Sequence, residues 1–176
     1  MLNVKSYAVA LAAAVSLGAA LAATTTDWKS FHPAGSTFTI SMPGDPKAQS
    51  QSNNNDVAGK MDFTIYSLQT DGGAYLVQDV VLEKMPQGPN VDDAMLKGVQ
   101  EGFMKTTGAT EVSAKVTKLQ GYAAREMVLQ KGAVRFKGFT LNAGSHNFIV
   151  LAVVHESKVD SGEVTKFLES FRIEKG

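Results

Sequence analysis

The 176-residue chain has no cysteine, which excludes disulfides, thiolate metal sites and a cysteine nucleophile. It also excludes a lipid-modified cysteine behind a leader. Charge of one sign is missing too: 17 basic and 17 acidic residues give a formal net charge of zero, scattered rather than blocked. Nothing in that balance draws in nucleic acid or an anionic membrane. Histidine is scarce, with 3 residues, and neither His-x-His nor His-Glu-x-x-His occurs. The turn glycines Gly72, Gly73 and Gly144 lack a phosphate-loop context. The one long uncharged apolar run, Tyr7 to Leu21, falls short of the ~20 residues a spanning helix needs.

That run has a different reading. Lys5 and the amino terminus precede it, and Ala20-Leu21-Ala22 follows with small-x-small spacing, so residues 1–22 are expected to be a secretory signal peptide. Residues 23–34 then form a flexible lead-in, in which Trp28 and Phe31 are the first side chains able to anchor it. Residues 35–176 have the length of a single domain. Export without disulfides or a lipid anchor suits the periplasm of a bacterium, or its medium, with no membrane insertion once the leader is cut.

Within the domain the strongest signal is Val134 to Val154, two strands around the turn Asn142 to His146. After Asn147 the second strand is apolar at every position through Val154, so both its faces should be covered. This hairpin is expected at the centre of the sheet. Along Val134 to Leu141 the alternation changes phase at Gly138, which fits either a bulge or a strand covered at its far end. Phe38, Ile40 and Met42 alternate in a strand closed by Pro43-Gly-Asp-Pro46. Lys47 to Ser52 reads as a polar edge strand and Asn53 to Asp56 as a loop. Lys60 to Leu68 and Ala74 to Leu82 make a second hairpin, and Glu111 to Leu119 with Tyr122 to Gln130 a third.

Two helices complete the pattern. Asn90 is a candidate N-cap, Asp92 and Asp93 suit the first turn, and Gly108 the stop. Val91, Met95, Val99 and Phe103 make a buried stripe, flanked by the small residues Ala94, Gly98 and Gly102. That small row is expected to lie close against the sheet, so a lysine at Gly98 should be far more damaging than one at Gln100. A short helix spans about Asp160 to Ser170, with Val164, Phe167, Leu168 and Phe171 on one face, before a last bit of strand. The order predicts an α+β domain: an antiparallel sheet of about six to seven strands, with one long and one short helix packed on it.

Three segments carry a resemblance: Phe38-Thr-Ile-Ser-Met-Pro-Gly-Asp-Pro46, Leu119-Gln-Gly-Tyr-Ala-Ala-Arg-Glu126 and Phe167-Leu-Glu-Ser-Phe-Arg-Ile173. Together they resemble landmarks of exported bacterial domains similar to the PsbP-like α/β/α sandwich superfamily. The resemblance implies an antiparallel sheet between helices, and a role as an accessory or assembly factor rather than an enzyme.

Candidate chemistry is thin. His146 and His155 end one strand and cannot meet at one metal, while His32 lies in the lead-in. Gly144-Ser-His146 supplies a hydroxyl and an imidazole but no acid. Asp79 interrupts an apolar strand, which a solvent-facing position or pairing with a neighbouring Lys or Arg explains. Arg125 and Arg135 lie on neighbouring strands and could form a cationic spot, although pairing with Glu126, Glu111 or Asp62 accounts for them. Met42, Met61, Met95 and Met127 fall in core phase. No catalytic, cofactor-binding or metal set emerges. The expected function is a periplasmic accessory or binding protein acting through a protein partner. The alternatives are a carrier holding a small apolar ligand between the sheet and the helix from Val91 to Thr107, and a hydrolase using His146 or His155 with a carboxylate.

Overall fold

The computed structural model describes residues 27–56 and 58–174; the expected signal peptide lies outside them. Seven antiparallel strands form the main sheet: β3 (Lys47–Asn55), β4 (Gly59–Thr70), β5 (Gly73–Leu82), β6 (Thr110–Leu119), β7 (Tyr122–Lys131), β8 (Val134–Ala143) and β9 (His146–His155). Their spatial order is β3-β4-β5-β9-β8-β7-β6, two meanders joined where β5 pairs with β9. β9 is therefore the central strand, and every residue from Asn147 to Val154 is buried. Three short strands, β1 (Lys29–Phe31), β2 (Phe38–Met42) and β10 (Arg172–Ile173), make a separate sheet with β2 in the middle. The architecture is α+β.

Alternation along the central strands sends side chains to two unlike sides. One side packs Tyr75, Val77, Phe148 and Val150 against Phe38, Ile40 and Met42 of β2 and against Val164 and Phe167 of α2 (Gly162–Glu169). Aromatic rings dominate it: Phe38 touches Tyr66, Phe148 and Phe171 with centroids 5.6 to 5.7 Å apart, and Phe148 meets Phe171 at 5.4 Å. The other side packs Leu76, Leu129, Leu151 and Val153 against Val99 and Phe103 of α1 (Val91–Thr107). At the N-terminal end of α1, Met95 joins Met61, Phe63, Val80 and Leu82 in a further cluster.

Several expectations change. β1 and Trp28 belong to the fold: the Trp28 ring meets Tyr75 at 5.8 Å with Lys166 above it, so the lead-in is ordered from there onward. The polar run Asn53 to Asn55 continues β3 instead of looping, because ladder pairing with Met61, Lys60 and Gly59 satisfies the backbone that poor side-chain propensity leaves free. Gly138 is no bulge. The register runs unbroken from Met127 through Gly138 to Leu151, and a Cβ there would lie 1.9 Å from the Val150 carbonyl oxygen. The one register shift in the β6–β7 pair falls between Glu111 and Ser113. Asn90 does precede α1, but in the left-handed region (φ 57°) and without a side-chain cap bond. The small-residue row is only half-buried, whereas Leu96 and Gln100 are fully buried beside Met95, Val99 and Phe103. The sheet-facing stripe is thus rotated toward Gln100.

Candidate functional site

The carboxylate missing from Gly144-Ser-His146 comes from β5. Val81 lies opposite His146 and Asp79 opposite Phe148, so Asp79 and His146 are diagonal neighbours on one face. His146 Nδ1 and Asp79 Oδ1 are 2.8 Å apart, and the imidazole stacks on Phe148 at 5.6 Å and 10°. Asp79 is 7% exposed and takes histidine, not lysine or arginine, as its partner, which corrects the solvent-face reading. The hydrogen bond to Asp79 raises the pKa of His146, desolvation opposes this, and the carboxylate charge adds to it. Burial, then the Asp79 charge, raises the nearby Tyr66 phenol as well. Such a pair orients an imidazole for proton transfer. Among the described residues no hydrogen bond joins it to the Ser145 hydroxyl, and His155 and His32 lie elsewhere, bonded to Ser157 and to the Phe38 carbonyl.

The two arginines do not form one spot. Arg135 alternates with Phe136 onto the α2 side and pairs with Glu156 at 2.6 Å. Arg125 lies in phase with Met127 and Leu129, facing α1, where its Nε donates to Gln100 Oε1. Gln100 Nε2 in turn donates to Glu111 Oε2 at 2.5 Å. Glu111 is therefore reached through a buried amide rather than across the strands. Next to this chain, Asn142 donates to Asp92 Oδ1 at 2.9 Å and accepts from Asn147 at 2.7 Å, which ties the start of α1 to the central hairpin.

A groove of about 750 Å³ opens on the opposite side of the sheet. Its floor is Val128 and Phe139 with Lys115, Glu126 and Lys137 around them, and its wall is Leu168, Phe171 and Arg172 from α2 and the start of β10. The reason is coverage: β2 and α2 roof the inner strands of this face and stop short of β6 and β7. Val116, opposite Arg125 on the α1 side of β6, is 55% exposed. Lys137 is held by Asp160 at 2.6 Å.

Sequence reasoning passed over Gln78, Gln100, Thr140 and Asn142, all at most 6% exposed. A signal existed for Gln78, which with Asp79 puts two adjacent polar residues into an otherwise apolar strand. For Gln100 the helical pattern misled, because a glutamine beside an apolar stripe normally faces solvent.

No family model matches the chain, and no curated protein does. Among solved structures it is similar to PA94 of Pseudomonas aeruginosa, a protein of unknown function, at 11% identity and TM-score 0.38, covering 78% of this chain and 90% of that one.

Proposed function

We propose that this chain is an exported binding protein that works without catalysis, as an accessory factor for an envelope complex, and takes a segment of its protein partner in the groove beside α2. The groove carries the reading: an apolar floor ringed by charges of both signs is the anatomy of a protein interface, with a dry centre and a polar rim. Export rests on the N-terminal pattern of residues 1–22. The test is cross-linking in the native envelope followed by co-purification. A stoichiometric partner, lost in Val128→Glu and retained in the α1-face variant Lys97→Glu, supports the proposal. A protein recovered alone, or a partner indifferent to Val128→Glu, sinks it.

One observation favours a carrier as the second reading, though not where it was expected. Beneath α1 the residues Val99, Phe103, Leu129 and Leu151 form one packed cluster, whereas the groove has the volume of a small-ligand site. A retained apolar molecule in native mass spectra of the purified protein, displaced by Val128→Glu, would select this reading over a protein partner.

A further inference from the structure

Five of the six buried polar side chains among the described residues, Gln78, Gln100, Thr140, Asn142 and Asn147, lie between α1 and the sheet. Gln78 stands opposite Ile149, Ile149 opposite Thr140, and Thr140 opposite Arg125, while Asn147 faces Asn142 in the next row. The band crosses four strands and separates the apolar cluster around Met95 from the one around Val99 and Phe103.

Its two ends differ. At the Arg125 end each buried amide has a partner, through Gln100 and Glu111. At the other end Gln78 is 0% exposed, and neither its nitrogen nor its oxygen has a hydrogen-bond partner among the described residues. Asn147, 3% exposed, spends its N–H groups on β8 and leaves Oδ1 bare. A buried amide without a partner keeps its whole desolvation cost. Three such atoms lie on two adjacent strands under one helix.

We infer that this seam binds a hydroxyl group at Gln78 and Asn147, either a water molecule or the hydroxyl of a small neutral ligand. Asn147 is the diagonal neighbour of Gln78, and such pairs stand about 7–8 Å apart at Cα, within reach of long side chains. A hydroxyl accepts from Gln78 Nε2 and donates to Asn147 Oδ1 through a single atom, which matches the mixed lining. The guest is neutral because the charges bonded to the band are already engaged: Asp92 with Asn142, and Arg125 with Gln100. An ion would be left uncompensated there. The site is independent of the groove on the opposite side.

A high-resolution crystal structure of the purified protein tests this directly. An ordered oxygen bonded to both Gln78 and Asn147 establishes the site: a lone oxygen identifies water, and larger density with a matching mass in native mass spectra identifies a ligand hydroxyl. Side chains turned onto protein partners, or no ordered density, overturn it. In solution, Gln78→Met replaces the amide by an apolar group of similar shape. With a guest bound, the variant strands Asn147 and Tm falls, by about 2–6 °C. An unchanged or raised Tm would mean that a bare amide had been removed, which contradicts the inference. Should the variant fail to accumulate, the crystallographic oxygen decides alone.

Discussion

The two sides of the main sheet are held by different means. Under β2 and α2 the contacts are rings upon rings, with Phe38, Phe148, Phe167, Phe171 and Tyr75 nearly inaccessible and one polar pair, Asp79 and His146, at the margin. Burial pushes the Tyr75 phenol up to about 12. Under α1 a polar band runs through the middle, and the helix is located by hydrogen bonds that Asp92 accepts from Asn142 and Gln100 accepts from Arg125. Ring packing is strong and tolerant of small shifts. A buried hydrogen-bonded chain is specific, and it fails sharply when one member is lost.

That contrast can be broken most violently on the aromatic side. Phe38→Ala removes a fully buried ring touching three others, so a loss of about 3–5 kcal/mol is expected in urea unfolding. A loss below about 1 kcal/mol would mean that β2 is an appendage rather than the roof of the core. On the α1 side, Gln100→Ala leaves Arg125 and Glu111 without their bridge and should cost about 1–3 kcal/mol. Gln100→Lys should be worse than Gly98→Lys, the reverse of the order expected from the small-residue row. Equal melting temperatures for the two lysine variants would contradict the helix orientation described above.

The marginal pair gives a smaller effect with a definite sign. His146 has a folded-state pKa above 6.5, so its contribution is complete below that value and fades as pH rises through the folded-state pKa. Tm followed from about pH 5 to about pH 9 should therefore carry a downward component above 6.5 that Asp79→Asn removes. A wild-type profile parallel to that of Asp79→Asn would show that the pair does not couple to folding. Smallest of all, Lys97→Ala breaks an exposed i,i+4 contact of 3.8 Å to Glu101 and should move stability by no more than about 0.5 kcal/mol.

Periodicity made most elements legible, and the exceptions have physical causes. The uninterrupted apolar run after Asn147 announced the central strand, since only a strand covered on both faces can dispense with polar residues. β3 escaped past Ser52 because its asparagines are held by pairing with β4, a tertiary effect that no local propensity contains. The Asp79 and His146 pair escaped for the same kind of reason: 67 positions separate the residues, and only the β5–β9 register makes them neighbours. Both residues were singled out in the sequence, but their meeting was not readable there. The division of the strands into a large and a small sheet was hidden as well, because β2 alternates like any half-buried strand.

The strand order also dictates a timetable. β3 to β5 leave the ribosome as a complete meander, yet the inner edge of that meander, Gly73 to Leu82, can find its neighbour only after β9 has been made. Until then a long apolar edge, Tyr75-Leu-Val-Gln-Asp-Val-Val-Leu82, stays open to any other extended chain. β2 waits longer still for β10, at the far end of the polypeptide. Closure across such sequence distances makes folding slow relative to synthesis of the first meander. The nascent chain thus carries its most aggregation-prone edge for most of its translation, and Gln78 with Asp79, the two polar residues in that edge, are the only interruption to it.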